Sequence, residues 1–474
     1  MRKRVRTERG GCSTWSVTVK KFEEICLIVI DDIKAGRKKV GDKIPSIRAM
    51  AEKHKVSKNT VITAYNKLLE QHWIKALPKS GFYVGEDLSN TPMLNATPFY
   101  TGIDLLEQQM VNQSHHKPGA GRYPKEYMDK LNLERYLGQA SDRFGSESAE
   151  VAHFDRGNGD PAGNVLLRGL LVDILSKRAM TVESQNVLLT YGTNHSLDLI
   201  IRHFLTSGDP VIVESPGYYP LFSKLELHQV AINTIKRTKL GIDANHLEAL
   251  IIKSQPKILF LQPFAQNPMG TDLTSQNMAE IQALCTQYNV IIVENDPFLL
   301  ARDDAASYFF NQTCPVIYVS SFSKTVSASI RCGFVVASKS VIKSLTRLKM
   351  ITVINTSSIM ENILNHLITS GALTNHLQAL KHLSAEKSAT AITQLNKIDG
   401  LTLYPHNPSG NFLWFRIPMD DKKAVEDAKN NNIFIAPGSL FFPSDPTYFA
   451  LRVNKFYIDK TTVKFIKTAI FNHH

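Results

Sequence analysis

Residues 316–334 read Val316-Ile-Tyr-Val-Ser-Ser-Phe-Ser-Lys-Thr-Val-Ser-Ala-Ser-Ile-Arg-Cys-Gly-Phe334. An apolar run, Val316 to Val319, delivers a hydroxyl at Ser321, an amine at Lys324 and a guanidinium at Arg331 before a second apolar run begins. A lysine at the end of a buried strand is a poor structural choice. Burial disfavours its charge and lowers its pKa, which is the state an imine-forming amine needs. Ser321 and Arg331 suit one phosphate, the serine as a neutral donor and the arginine as a bidentate clamp. A Schiff-base lysine beside a phosphate cup is what pyridoxal 5′-phosphate requires.

Around this stretch, helical patterns alternate with apolar runs, which predicts an α/β domain with a mainly parallel sheet covered on both faces. The expected strands are 186–190, 210–214, 257–262, 290–294, 316–320 and 333–337, with helices over 166–177, 196–205 and 275–288. In such sheets the ligand sits beyond the carboxyl ends of the strands. Thr193 and Asn194 follow one strand and open a helix, where backbone amides can hold phosphate. Tyr218 follows the next and can stack on a flat ring. Asn267, in Gln266-Asn-Pro-Met-Gly270, follows the third and offers an amide to a phenolic oxygen.

The 474 residues are enough for two or more domains, and 43% hydrophobic content supports a sizeable core. No charge-free apolar run reaches about 18 residues, so no membrane span is expected. No signal peptide is expected either, because small-residue cleavage chemistry does not follow the basic start. The cysteines, five and scattered, fit a reduced, cytoplasmic protein; Cys332 reads as a small apolar filler rather than an oxidation sensor. His115-His116 lack helically spaced thiol or carboxylate partners and read as solvated loop, so no metal is expected.

The net charge of +12 is concentrated near the start. Residues 1–85 hold 19 Lys+Arg against 8 Asp+Glu, and the remainder is almost balanced. Such asymmetry is an electrostatic footprint for nucleic acid. Apolar positions at three- and four-residue spacing predict a helix over 18–35, stopped by Gly36. Ser46 caps a short helix over 47–54 and Ser57 caps a third over 58–71. Two short strands follow, 73–77 and 82–84. This order is that of a winged helix-turn-helix with the third helix in the major groove. The expected DNA-facing set is Ser46, Arg48, Ser57, Lys58, Asn59 and Thr60, with Lys79 and Gly81 on the wing.

Lys43 to Tyr65 resembles the reading head of the GntR family of bacterial transcription regulators. The phrases Pro45-Ser46 to Arg48 and Val56-Ser-Lys-Asn-Thr-Val61 are most similar to its MocR branch, in which the head is fused to an aminotransferase-like domain. From about Phe154 onward the chain resembles fold-type-I pyridoxal-phosphate aminotransferases. Gly159-Asp-Pro-Ala-Gly163, Tyr191-Gly192, Asn267-Pro268, Ser321 to Lys324, Arg331 and Leu451-Arg452 occur in that family's order. The resemblance implies three parts: a head over 1–85, a linker and lead-in segment over 86–150, and an effector and dimerisation domain over 151–474. It implies that Lys324 is the internal aldimine lysine, that Ser321 and Arg331 bind phosphate and that Asn267 binds the ring's O3′. It further implies that Arg452 clamps the carboxylate of an amino-acid-like ligand, and that the protein is a homodimer.

One phrase departs from the pattern. Where the family places an aspartate on the pyridine nitrogen and a tyrosine near O3′, this chain has Asn295 and Phe298. An amide cannot supply the charge that keeps the ring nitrogen protonated. A one-residue slip would offer Asp296 instead, but adjacent strand residues point to opposite faces. The expectation is a DNA-binding transcription regulator controlled by pyridoxal phosphate or by an amino compound reacting at Lys324. A harsher reading of the Asn295 and Phe298 pair is that the cofactor is not held at all, and two functional alternatives share these residues: an aminotransferase with an incidental head, and a repressor whose large domain is only a dimerisation scaffold.

Overall fold

The structure, a computed structural model, describes residues 21–34, 36–70, 73–77, 80–85, 103–136, 159–303, 307, 309–310, 314–404, 410–444 and 446–471. The chain divides into two compact units, Met1–Phe99 and Tyr100–His474.

In the first unit, α1 (Lys21–Lys34) ends at Gly36, whose φ of 70° suits a residue without a Cβ. The Ser46 side chain accepts the Ala49 amide and so starts α2 (Ile47–His54). Lys55, in the left-handed region, stops it. Ser57 caps α3 (Lys58–Glu70) by accepting the Thr60 amide at 3.1 Å. β1 (Ile74–Leu77) pairs antiparallel with β2 (Gly81–Val84), Ile74 opposite Val84. The helical spacing puts Val61, Ala64, Tyr65 and Leu68 of α3 inside, against Ile25 and Val29 of α1, Met50 of α2 and the hairpin's Ile74 and Val84. Burying each large aliphatic side chain stabilises the unit by about 1.5–3 kcal/mol. The Tyr65 hydroxyl donates to the Pro45 carbonyl at 2.7 Å, tying α3 to the turn before α2.

The second unit is built on an eight-stranded sheet. Its strands are β3 (Val187–Thr190), β4 (Pro210–Ser215), β5 (Ala231–Thr238), β6 (Gly241–Ile242), β7 (Ile258–Leu261), β8 (Ile291–Asp296), β9 (Val316–Ser321) and β10 (Gly333–Val336), in the order β3-β10-β9-β8-β7-β4-β5-β6. The central pairs from β5 through β4, β7 and β8 to β9 are parallel, whereas β10 runs antiparallel to both neighbours. β7 is buried along its whole length, as a strand covered on both faces must be. β11 (Phe412–Arg416), β12 (Ala436–Pro437) and β13 (Ala450–Asn454) form a smaller antiparallel sheet with β13 central.

The six strands expected from apolar runs all form, with ends shifted by no more than two residues. The helix expected over 196–205 begins earlier, at Thr193, because Gly192 makes the turn out of β3 at a φ of 87°. Residues 103–136 of the segment taken as linker and lead-in contribute to the second unit's packing: Leu105 joins the main core and Leu131 a second cluster. His116 is not simply solvated, because its Nδ1 lies 2.6 Å from an Asp459 carboxylate oxygen, a partner 343 residues away that local spacing could not reveal. Cys332 is 2% exposed and burial pushes its thiol pKa up, as suits a filler. Among the described residues no helix is long and apolar enough to cross a membrane.

Candidate functional site

The strand ends converge on one cavity of about 510 Å³, lined by Lys324, Ser321, Arg331, Thr193, Asn194, Tyr218, Asn267, Asn295 and Arg452. Every residue expected at the cofactor or effector site therefore faces the same space. Lys324 follows β9 and donates through Nζ to the Gly121 carbonyl at 2.6 Å. Loss of solvent pushes its pKa down to about 7, with further repulsion from Arg452 and Arg122.

One end of the cavity offers donors for an anion. The helix Thr193–Phe204 points its first amides there. Arg331 reaches in from the turn before β10, with Nη2 donating to the Tyr191 carbonyl at 2.7 Å. A Cβ built on Gly192 would come within 3.3 Å of Arg331 Nη2 and 3.6 Å of Ser323 Oγ, so a side chain there would crowd both groups. The hydroxyls of Thr193 and Ser323 are buried without partners. Unmet donors beside a guanidinium and a helix N-terminus fit a phosphate.

The middle of the cavity holds two amides. Asn267 is fixed by a relay that starts at the buried ion pair of Arg237 and Glu214, 2.7 Å apart. Glu214 accepts the Gln262 amide, and the Gln262 side chain accepts the Asn267 amide at 3.2 Å. Arg452 donates to Asn267 Oδ1 at 3.3 Å, which leaves the Asn267 NH2 group to face the cavity. Asn295 projects inward from β8 with its carbonyl oxygen unpartnered. Its neighbours turn the other way: Asp296 accepts from Tyr318 and Arg302, and Glu294 from Ser307. Strand alternation thus gives the cavity the amide and withholds both carboxylates. Phe298 packs edge-on against Phe412, and supplies no hydroxyl.

The far end is cationic and aromatic. Arg452 lies over the rings of Phe412 and Phe441, 4.3 and 5.0 Å from their centroids, and burial lowers its pKa to about 10. Its Nη2 donates to the Gly119 carbonyl at 2.7 Å while its buried Nε has no partner. The Tyr218 hydroxyl donates to Asn194 at 3.2 Å. The residues present fit pyridoxal phosphate: an amine, phosphate donors, an amide for the phenolic oxygen and a guanidinium for a carboxylate. Ser323, Gln262, Phe412 and the 118–122 loop were missed from sequence. The Gly119-Ala-Gly121 pair of glycines was the signal for the loop.

In the first unit, Ser46, Ser57 and Thr60 are engaged in capping, the two hydroxyls of Ser57 and Thr60 lying 2.8 Å apart. Lys58 and Asn59 stand exposed at the start of α3. Arg48 is exposed and leans toward Glu52 at 3.4 Å. Gly81 opens β2 at a φ of 113°. Lys79 lies outside the described residues. Lys53, in the last turn of α2, and Lys55, which stops that helix, are exposed and extend the basic surface beyond the expected set.

Residues 146–451 match the family described as Aminotransferase class I and II, and residues 22–84 match bacterial regulatory proteins of the gntR family. The chain is 28% identical over 446 residues to the HTH-type transcriptional regulator YdcR of Escherichia coli K12, covering 89% of this chain and 92% of that protein. It is 25% identical over 422 residues to the HTH-type transcriptional regulator NorG of Staphylococcus aureus USA300, covering 84% and 92%. Among solved structures, Pyrococcus horikoshii kynurenine aminotransferase aligns with a TM-score of 0.68 at 23% identity, over 77% of this chain and 93% of that one. The multiple substrate aminotransferase of Thermococcus profundus aligns with a TM-score of 0.69 at 20% identity, over 80% and 96%. At such identity these structures establish the fold alone.

Proposed function

The chain belongs to the class I and II aminotransferase family and carries a gntR-family helix-turn-helix head, and from this pairing we propose that it is a MocR-type transcription regulator that senses rather than turns over. The head binds operator DNA. The large domain holds pyridoxal phosphate and an amino-acid-like effector, and the protein works in the cytoplasm as a homodimer reading two half-sites.

The observation that carries this reading is the side chain at position 295. Pyridoxal phosphate supplies an aldehyde that amines capture reversibly and, when its ring nitrogen is protonated, a sink for electrons. This chain keeps what capture needs: Lys324 with a pKa near neutrality, Ser321, Thr193 and Arg331, which would hold a phosphate, and Asn267, which would meet the phenolic oxygen. Asn295 would meet the ring nitrogen; its amide can donate to an unprotonated nitrogen but brings no negative charge. Asp296, which could, is engaged with Arg302 and Tyr318 on the opposite face. Effector binding at Arg452 then shifts the balance between conformations of a regulator instead of starting a catalytic cycle.

The test compares purified wild-type protein with Lys324→Ala after addition of pyridoxal phosphate, by absorbance and by binding to its own upstream DNA. Wild type should gain the bound-cofactor band, the variant should not, and cofactor should change only the wild type's DNA affinity. Identical spectra would refute cofactor capture. Identical DNA affinity with and without cofactor, and in Arg331→Ala, would instead favour the scaffold. Rapid multiple-turnover conversion of an amino acid to its keto acid would make the chain an enzyme.

A further inference from the structure

The cavity is electrostatically one-sided. Arg122, Lys324, Arg331 and Arg452 all line it, and among the described residues no aspartate or glutamate does. On the cofactor reading, which this inference presupposes, three of the four have tasks: Lys324 meets the aldehyde, Arg331 the phosphate and Arg452 one carboxylate. Arg122 has none. Among the described residues no carboxylate pairs with its guanidinium, and its side chain is exposed at the cavity mouth.

Its placement is nonetheless fixed. Asn454 Nδ2 donates to the carbonyls of Ala120 and Arg122 at 3.0 and 2.8 Å. The flanking carbonyls of Gly119 and Gly121 accept from Arg452 and Lys324. The loop that carries Arg122 is therefore held by two of the site's own cations, which keeps the guanidinium on the same cavity as the unpartnered Nε of Arg452. Two guanidiniums on one cavity, with the imine-forming Lys324 lining the same space, suit a ligand with two anionic groups and one amino group. A guanidinium recognises a carboxylate by paired hydrogen bonds, and an amide offers it only one acceptor oxygen.

We propose that the effector is an acidic amino acid, with one carboxylate on Arg452 and the second on Arg122, so that Arg122 sets specificity for a second negative charge. Arg122 acts on the ligand's far end and leaves cofactor capture to Lys324.

The experiment titrates cofactor-loaded protein with L-aspartate, L-asparagine, L-glutamate and L-glutamine, reading both heat and cofactor absorbance. At least one acid should bind about five- to tenfold tighter than its own amide, a preference that shrinks as salt rises. In Arg122→Gln the preference should vanish; loading is read by absorbance in the same titration, so lost loading cannot be mistaken for lost specificity. Equal binding of acid and amide in both pairs, binding of neither acid, or a preference that persists in Arg122→Gln overturns the proposal. A wild-type protein that takes up no cofactor removes the underlying reading and this proposal together. Uptake without acid preference removes the proposal alone.

Discussion

The head and the cavity both collect cations, and water separates what those cations can do. In the head, Lys53, Lys55 and Lys58 are exposed and act through a field that salt screens. In the cavity, Lys324 and Arg452 are stripped of solvent, and the lysine's charge itself becomes adjustable. A surface lysine is a fixed point charge for a polyanion. A desolvated one is a nucleophile whose protonation can be set.

The sharpest way to break this contrast is ionic strength. With six to ten phosphate contacts, DNA affinity should fall by about 10³–10⁵ between about 50 and 200 mM salt. Cofactor capture over the same range should change by no more than about tenfold, because Ser321 is buried and Lys324 half-buried, and Arg331 alone of the capture groups stands exposed to salt. Parallel salt curves, by fluorescence anisotropy and absorbance, would show that the cavity is no drier than the head.

Next in size is Asn295→Asp. A carboxylate facing the ring nitrogen should speed single-turnover conversion of an amino acid to its keto acid by about a hundredfold. Rapid-scan absorbance checks this, and an unchanged rate would mean that something other than the amide limits turnover.

The pH dependence of capture probes Lys324 directly. Its pKa of about 7 means that the ammonium form accumulates below that value, so the capture rate should drop about tenfold per pH unit there and level off above. Because the folded pKa lies below the usual 10.5, the unfolded chain binds the extra proton between these values, and this group's contribution to stability rises with pH across that window. A profile that keeps climbing to pH 10 would place the amine in water.

The smallest effect belongs to the head's own architecture. Ser57→Ala removes the cap on α3 and should cost about 1 kcal/mol, seen as roughly fivefold faster hydrogen exchange of the α3 amides. No change would mean that Ser57 serves DNA and not the helix.

The two regions also differ in how much their sequences disclose. The head is made of neighbours: Ser46 meets Ala49, Ser57 meets Thr60, and the hydrophobic period of α3 states which side is buried. In the large domain the strand ends, and hence the cavity residues, could be read because each apolar run stops where a polar group begins. What could not be read is what crosses the chain. Arg452 meets Gly119 across 333 residues and Lys324 meets Gly121 across 203, and no local pattern encodes either meeting. The sheet's β5 escapes a sequence reading because it is largely half-exposed and mostly polar, Ile232 and Ile235 standing among Asn, Thr, Lys and Arg, without the continuous apolar run that marked its neighbours.

The hydrogen bond from Lys324 to the Gly121 carbonyl has an arithmetic of its own. An ammonium has three hydrogens to give, a free amine two, and a lysine nitrogen double-bonded to carbon keeps one only while protonated. Among the acceptors around the 118–122 loop, the Gly121 oxygen alone draws its hydrogen from a group whose supply chemistry can exhaust. The loop's tether is thus a gauge of the lysine's chemical state, written in the backbone.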